Sequence, residues 1–325
     1  MGSYQITLDG LEARDVAADT STMRHRIESL RERQPTNERE LIIPTDTPHQ
    51  AAGSGEIPEI APDELSVDVL RSAVAEHGAL LVRNLFPEEV IAGFPPAIDR
   101  VLDAVDLPPA EKKKLSNTYF SPPDNLVSIM PEGPMELAAL RVFNTKVGAV
   151  MCPEAPSVAE ALLELFEERG IKELITEYLD EPPVLSVKKW VLRRSVLPVE
   201  EAGWHQDGAF MGTDINTINL WLPLTDCGGE TGAPGMDLVP QRLNSIVSAE
   251  GATFDWSVSD SYVTDAFNGN RPVAPVFNTG DAFFFDHFYL HRTQFREDFS
   301  RLRYAIETWF FGESTFPKSQ IPVAW

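Results

Sequence analysis

Short runs of β-branched and aromatic residues recur through the second half of this 325-residue chain. The runs cover residues 185–196, 217–225, 273–277, 281–286 and 302–311, with turn-forming residues such as Gly228 and Gly229 between them. Many short strands at this spacing are typical of a β-barrel or of two packed antiparallel sheets, and not of a parallel α/β sheet. The pattern therefore predicts that the second half of the chain folds as a jelly roll.

The first half of the chain carries helical patterns instead. Ser66 can cap a helix that runs through Glu76 and stops at Gly78, and residues 79–86 are typical of a buried strand. Residues 157–179 have an apolar stripe at helical spacing, which predicts one long helix. Helices early and strands late predict an α+β fold in which the first helices buttress the jelly roll.

The composition also predicts how the chain is divided. Residues 1–60 combine a charged helical pattern with a stretch rich in Pro, Thr, Gly and Ser. We expect an accessory arm there, which could be a lid, a dimer contact or a mobile segment. Residues 61–325 are expected to form one domain, with a helical part at 61–180 and a jelly-roll core at 181–315. The sequence does not choose an oligomeric state.

The strongly acidic composition argues against several kinds of partner. The chain has 27 Lys and Arg against 50 Asp and Glu, a formal net charge of −23 at pH 7. Nucleic acid and anionic membranes require a dense basic surface, so we predict neither as a partner. With no long apolar run and no basic-then-apolar signal at the N-terminus, we expect a cytoplasmic location. Two cysteines argue against a disulfide framework.

A histidine and an aspartate in residues 203–208 suggest a metal site. In an extended backbone His205 and Asp207 would point the same way, about 6.6 Å apart, and could reach one metal ion. A second imidazole from a distant strand would complete a 2-His-1-carboxylate set, which leaves open positions on a non-haem Fe(II). His291 is the candidate for that imidazole, although spacing alone does not choose between His291 and His287.

Arg303 lies at the start of the predicted strand 302–311, on the same face as Glu307. An unpaired buried guanidinium is costly, so Arg303 requires an anion if it faces the interior of the barrel. Glu307 could be a structural partner. Alternatively, Arg303 could bind the carboxylate of a ligand through two parallel hydrogen bonds, which suits the planar guanidinium.

Several stretches together resemble the phytanoyl-CoA dioxygenase family. They are residues 203–208, residues 218–226, residues 232–235 with Val239-Pro240, Gly280-Asp281 placed ten residues before His291, and residues 303–306 placed twelve after it. The resemblance covers roughly residues 70–311 in layout and 185–311 in motif. No single stretch is specific, whereas the combination is.

The resemblance implies a double-stranded β-helix, cupin-like, that holds Fe(II) and 2-oxoglutarate. His205, Asp207 and His291 would bind the iron. Arg303 would bind the distal carboxylate of 2-oxoglutarate, with Arg301 as the fallback.

Two residues of the predicted strand 217–225 could complete the cosubstrate site. Asn219 and Trp221 share one strand face. They could line the pocket for 2-oxoglutarate, or they could serve core packing.

The implied reaction consumes O2 and 2-oxoglutarate and releases succinate and CO2. Related halogenases lack the carboxylate ligand, so the presence of Asp207 favours hydroxylation or another oxidation. An acidic chain offers few residues for the phosphates of coenzyme A. We therefore expect a small-molecule substrate, a metabolite or natural product without coenzyme A.

Candidate substrate contacts are of two kinds. Basic residues that could bind an anionic group are Lys188, Lys189, Arg193 and Arg194, of which strand alternation lets at most half face inward. Apolar residues that could line the cavity or belong to the core are Trp204, Phe210, Met211, Tyr289 and Trp309.

Two other functions are open alternatives. One is a catalytically inactive jelly-roll protein that binds a small molecule. The other is a metal-dependent hydrolase that uses the same three ligands, in which Arg303 would have no evident role.

Overall fold

A computed structural model describes residues 4–31, 33, 36, 41–42, 56–106, 119–123, 126–130, 133–200, 203–247, 257–266 and 272–325. Its helices are α1 (Leu8–Glu12), α2 (Val16–Arg31), α3 (Val67–His77), α4 (Glu88–Ile91), α5 (Phe94–Asp106), α6 (Leu137–Lys146), α7 (Pro156–Glu168), α8 (Ile171–Leu179), α9 (Gly208–Met211) and α10 (Asp260–Ala266). Its strands are β1 (Glu59–Ile60), β2 (Ala79–Val82), β3 (Val127–Met130), β4 (Gly133–Glu136), β5 (Ala149–Met151), β6 (Pro183–Arg194), β7 (Trp204–His205), β8 (Thr217–Pro223), β9 (Met236–Leu238), β10 (Ser257–Val258), β11 (Ala282–Phe285), β12 (His291–Thr293), β13 (Tyr304–Gly312) and β14 (Pro322–Ala324).

Two sheets form the layers of a jelly roll. The larger has the strand order β1-β2-β11-β8-β13-β6-β14, with β5 also paired to β6, and the smaller has the order β10-β7-β12-β9. The central pairs of both sheets are antiparallel and join strands that are distant in sequence. The predicted α+β fold, a double-stranded β-helix with helices on one side, is thereby confirmed.

The two faces of the larger sheet belong to two different hydrophobic clusters, because side chains alternate between the faces along the central strands. In β8, Leu220 packs with the helices, whereas Trp221 packs with residues that face the smaller sheet. In β11, Phe284 and Phe285 divide in the same way. Successive side chains of a strand point to opposite faces, so a strand covered on both faces is buried along its whole length. The inner face, between the two sheets, is where the site lies.

The sequence predicts the beginning and end of α3 but not a break further along. The Ser66 hydroxyl accepts a hydrogen bond from the Val69 backbone N–H at 3.3 Å, and Gly78 ends the helix with φ +83°. The prediction of one helix over residues 157–179 is wrong. Gly170 has φ +71°, a left-handed conformation that separates α7 from α8.

Four of the five predicted strand segments form β6, β8, β11 and β13. The fifth, residues 273–277, makes only isolated bridges at Val273 and Phe277. β2 stops at Val82, before the predicted end at Phe86, because Asn84 turns the chain with φ +53°.

The charged helical pattern of the predicted arm forms α2, which packs on α7 and on β14. The Arg26 guanidinium binds both carboxylate oxygens of Glu160, at 2.9 and 3.0 Å. Residues 34–55 of the predicted arm lie outside the described residues except for positions 36, 41 and 42. The division into arm, helical part and core stays a prediction.

Gly280 marks a close approach of two backbones. Its φ is +84°, and a Cβ at this position would lie 1.9 Å from the carbonyl oxygen of Phe86. We expect Gly280→Ala to lower the free energy of unfolding by about 3 kcal/mol, from the left-handed conformation and the clash together. Urea unfolding measures the loss.

Gly170→Ala is the matched control, because Gly170 also has a positive φ but a Cβ there would meet no heavy atom within 4 Å. We expect a loss of about 1 kcal/mol there. Equal losses at the two glycines would contradict the close approach at Gly280.

Candidate active site

His205 and His291 meet on neighbouring strands of the smaller sheet. β7 and β12 pair antiparallel with these two residues directly opposite each other. Opposite side chains of an antiparallel pair lie close together, and the two ring centroids are 4.4 Å apart. The strand register therefore brings together two imidazoles that are far apart in sequence.

Both imidazoles are oriented through Nδ1. This atom lies 3.0 Å from the Gly203 carbonyl oxygen in His205 and 2.9 Å from the Tyr289 carbonyl oxygen in His291. A carbonyl oxygen only accepts, so Nδ1 carries the proton, and Nε2 is the nitrogen that each ring would offer to a metal. Desolvation and the neighbouring His291 lower the pKa of His205 to about 4. The ring is then neutral near pH 7, as a metal ligand must be.

Asp207 begins a helix and does not continue the strand. β7 ends at His205, and Asp207 has helical angles, φ −61° and ψ −25°, as the first residue before α9. The prediction that His205 and Asp207 project from one extended strand is therefore wrong. The Phe210 and Met211 N–H groups donate to the Asp207 carbonyl oxygen at 3.2 and 3.0 Å, as in a first helical turn, and the Gly208 N–H donates to the His287 carbonyl oxygen at 2.8 Å.

The Asp207 carboxylate is buried, and its Oδ1 lies 3.0 Å from the Lys189 ammonium. Burial alone would raise the pKa of this carboxyl. The nearby Lys189 ammonium, followed by the imidazoles of His291 and His205, outweighs burial and holds the pKa below its ordinary value. Asp207 is therefore an anion near pH 7, as a metal ligand must be.

His205, His291 and Asp207 are neighbours, but their side chains are not arranged to coordinate one metal ion together. Across the described residues, no group of three or more His, Cys, Asp or Glu side chains is arranged to hold one metal ion. Binding of one ion by all three would require these side chains to rearrange. By ligand type, two imidazole nitrogens and one carboxylate suit a non-haem Fe(II).

His287 makes contacts different from those of the His205–His291 pair. Its Nε2 is 3.2 Å from the Thr213 carbonyl oxygen, and its ring packs on Phe288 with centroids 4.1 Å apart. Its Nδ1 is buried without a hydrogen-bond partner in the part of the chain that the structure describes. Because His291 is the ring beside His205, the geometry favours His291 over His287 as the second imidazole.

A series of ion pairs connects Asp207 to Lys189, Glu307 and Arg193. The Lys189 ammonium lies 3.0 Å from Asp207 and 3.9 Å from Glu307, and Glu307 lies 3.5 Å from the Arg193 guanidinium. The ammonium also lies over the ring of Phe210, 4.2 Å from its centroid. The sequence offered Lys189 only as one of four candidate basic residues and did not indicate its contact with Asp207.

The four basic residues of β6 separate as strand alternation predicts. Lys189 and Arg193 face the site. Lys188 donates to the Ser319 carbonyl oxygen at 2.8 Å, and Arg194 pairs with a carboxylate outside the site at 2.7 Å. Of the four, Lys189 contacts a candidate metal ligand directly, and Arg193 is linked to that contact through Glu307.

Arg303 is a buried cation at the inner face, immediately before β13. Its Nη1 donates to the carbonyl oxygens of Pro234 and Gly235 at 3.2 and 3.1 Å. Its Nε is buried and has no hydrogen-bond partner among the described residues. Burial lowers the pKa of Arg303 to about 10, so the guanidinium is charged at neutral pH.

Glu307 does not pair with Arg303, because its ion-pair contacts are with Lys189 and Arg193. Arg301 is exposed, and its Nη1 donates to the Thr231 carbonyl oxygen at 3.2 Å. Of the two arginines, Arg303 therefore has the burial and the unused donor that a carboxylate ligand would need.

Asn219 is an unpaired polar group of the inner face. Phe285 and Trp309 stand opposite it on the neighbouring strands β11 and β13. Its side chain is buried, and within the described residues neither its Oδ1 nor its Nδ2 has a hydrogen-bond partner. Buried polar atoms without partners are costly. The Asn219 amide and the Arg303 Nε thus fit a polar, anionic ligand such as 2-oxoglutarate.

Trp221 packs in the core next to Arg303, and its part in the cosubstrate pocket stays a prediction. Its ring lies 4.9 Å from that of Phe277, edge to face, and the Arg303 guanidinium lies 5.8 Å from its centroid. Of the apolar substrate-contact candidates, only Phe210 is exposed, whereas the others are buried in the core: Trp204, Met211, Tyr289 and Trp309.

Known structures match most of the chain at low sequence identity. AviO1 from Streptomyces viridochromogenes is 17% identical over 78% of this chain and 98% of AviO1, with a TM-score of 0.42. The α-ketoglutarate-dependent carbocyclase SnoK from nogalamycin biosynthesis is 15% identical over 78% of this chain and 87% of SnoK, with a TM-score of 0.47. EctD from S. alaskensis, solved with bound Fe, is 12% identical over 87% of this chain and 90% of EctD, with a TM-score of 0.45.

No curated protein matches the chain significantly. The family model for phytanoyl-CoA dioxygenase, in contrast, matches residues 74–295. This range is more than half of the chain and includes His205, Asp207 and His291. The chain therefore belongs to the phytanoyl-CoA dioxygenase family and is a non-haem iron, 2-oxoglutarate-dependent dioxygenase.

Proposed function

We propose that this enzyme hydroxylates a small-molecule metabolite or natural product that does not carry coenzyme A. His205, Asp207 and His291 bind Fe(II). Arg303 binds the distal carboxylate of 2-oxoglutarate, and Asn219 donates to or accepts from the same cosubstrate.

The observation that carries this proposal is the pairing of His205 with His291. The two rings stand opposite each other with centroids 4.4 Å apart, and both use Nδ1 on a backbone carbonyl. Both rings lie close enough to Asp207 to help lower the pKa of its carboxyl. Two oriented, metal-competent imidazoles beside an ionised carboxylate support the assignment of the three ligands.

When bound, Fe(II) and 2-oxoglutarate supply O2 activation, with succinate and CO2 as coproducts. The chain's own residues orient and shield this chemistry. Aromatic rings cover the floor of the site: Phe285 lies 4.9 Å from the His291 ring and 5.6 Å from the Trp309 ring. These buried rings exclude water from one side of the imidazoles, and that strengthens electrostatic interactions within the site.

The substrate would approach from the side of Phe210, which is 38% exposed. The rings of Phe210 and His205 have centroids 6.4 Å apart, so an apolar group on Phe210 would lie near the metal ligands. None of the helices that the structure describes is both long and apolar enough to cross a membrane. A cytoplasmic location and the absence of nucleic-acid and membrane partners stay predictions from the sequence.

The test is an anaerobic titration of the full-length protein with Fe(II) and 2-oxoglutarate, followed by visible absorption. We expect a weak charge-transfer band that requires both additions, because 2-oxoglutarate chelates iron in this family. Admission of O2 in the presence of a metabolite mixture should then release succinate, and ¹⁸O2 should label the hydroxylated product.

Zn(II) in place of Fe(II) is the matched control and should give neither the band nor succinate. Correctly folded protein that gives no band with Fe(II) would contradict the metal and cosubstrate assignment. A product formed without O2 would instead indicate the hydrolase, and binding without succinate would indicate the inactive binding protein.

A further inference from the structure

Lys189 donates a hydrogen bond to Asp207, the carboxylate that we assign as a metal ligand. Its ammonium is 3.0 Å from Asp207 Oδ1, and the two side chains are only 17% and 5% exposed. Charges this close interact strongly when solvent screens them poorly. A divalent cation bound by Asp207 would therefore feel the charge of Lys189.

The surrounding charges compensate Lys189 only in part. Glu307 is 3.9 Å from Lys189, but it is shared with Arg193 at 3.5 Å. Arg303 is a third, buried cation; besides burial, the nearby charges of Arg193 and Glu307 act on its pKa. Three cations and two carboxylates, Asp207 and Glu307, thus belong to one group of interacting charges. A divalent metal would increase this positive excess, and the dianion 2-oxoglutarate would reduce it.

We propose that Lys189 couples the binding of the metal to the binding of 2-oxoglutarate. This inference rests on the proposed function of the site. The Lys189 charge weakens binding of the metal alone, and the cosubstrate dianion relieves the repulsion. Each of the two then strengthens the binding of the other by the same factor, as linkage requires. Direct chelation of the metal by 2-oxoglutarate also couples the two binding events. The contribution of Lys189 is therefore the part of the coupling that is lost when its charge is removed.

The experiment measures Co(II) dissociation constants by visible absorption, with and without saturating 2-oxoglutarate. Co(II) serves as a probe that does not oxidise under these conditions. Lys189→Gln keeps a hydrogen-bond donor toward Asp207 and removes the charge. We expect this variant to bind Co(II) alone about tenfold tighter than the wild type, and the tightening by 2-oxoglutarate to be about tenfold smaller.

Two variants serve as matched controls. Lys189→Arg retains the charge and should keep the wild-type coupling. Lys188→Gln removes the neighbouring lysine, whose ammonium donates to the Ser319 carbonyl oxygen and not to Asp207. It should leave the Co(II) constants within about twofold of wild type. Lys189→Met is the second test substitution if Lys189→Gln does not fold, which thermal unfolding without metal reports.

Each other outcome overturns the coupling. Equal weakening of Co(II) binding with and without 2-oxoglutarate in Lys189→Gln would mean that Lys189 only positions Asp207. Unchanged constants would mean that its charge does not act on the metal. His205→Ala separates this failure from that of the proposed function: if it binds Co(II) as the wild type does, the metal site itself is wrong.

Discussion

Replacing His291 with alanine is expected to weaken Co(II) binding by more than about 100-fold. Loss of groups that merely orient a metal ligand costs 10–100-fold, and His291 is assigned as a ligand itself. Its removal would leave one imidazole and one carboxylate. Isothermal titration of the full-length protein with Co(II) measures the effect without turnover.

His287→Ala is the matched control for this substitution. Both histidines are buried, at 5% exposure for His287 and 7% for His291, and they lie in the same segment of the chain. His287 contacts Thr213 and Phe288, whereas His291 stands opposite His205. We expect His287→Ala to lower thermal stability but to keep Co(II) affinity within about threefold of wild type. The reverse pattern would move the second imidazole to His287.

The layered fold can be predicted from the sequence because strands buried on both faces are visible as short segments rich in apolar and β-branched residues. Residues 217–225 and 302–311 are rich in β-branched and aromatic residues, and they become the adjacent central strands β8 and β13. The break at Gly170 is not predictable in the same way. The apolar stripe of residues 157–179 continues across the break. A glycine within a helical pattern is compatible with either a continuous or an interrupted helix.

The candidate site is predictable in its residue types but not in its local geometry. The prediction joined His205 and Asp207 by strand alternation, whereas the chain turns into α9 at Asp207, where the Gly208 N–H also donates to the distant His287 carbonyl oxygen. No local pattern reports a contact between positions this far apart in sequence. The pairing of His205 with His291 likewise depends on strand register, which is a property of the assembled sheet.

The role of Lys189 was missed for the same reason. Strand alternation limits how many of the basic residues of β6 face inward, but it does not say what they meet. The partners come from elsewhere in the chain: Asp207 immediately precedes α9, and Glu307 lies in β13. The signal in the sequence was only a lysine on a strand rich in apolar residues, which an anion-binding role and a structural ion pair explain equally well.

Arg303→Ala is expected to weaken 2-oxoglutarate binding by about 100-fold or more, with Co(II) affinity in its absence changed by less than about fivefold. Truncating one partner of a buried, hydrogen-bonded charge pair costs 2–5 kcal/mol, and each 1.4 kcal/mol is a factor of ten. Arg303 is 3% exposed, and its Nε has no hydrogen-bond partner among the residues that the structure describes, so a carboxylate bound there would be desolvated. Titration of Co(II)-loaded protein with 2-oxoglutarate measures this affinity.

Two substitutions make the result specific to the guanidinium. Arg301→Ala removes the exposed arginine two residues away and should change 2-oxoglutarate affinity by less than about threefold. Arg303→Lys keeps the charge but loses the planar pair of donors, so its affinity should lie between those of wild type and Arg303→Ala. An Arg301→Ala variant that loses the cosubstrate while Arg303→Ala retains it would transfer the anchor to Arg301. If neither changes the affinity, the carboxylate binds elsewhere, and the unpaired Asn219 amide becomes the next group to test.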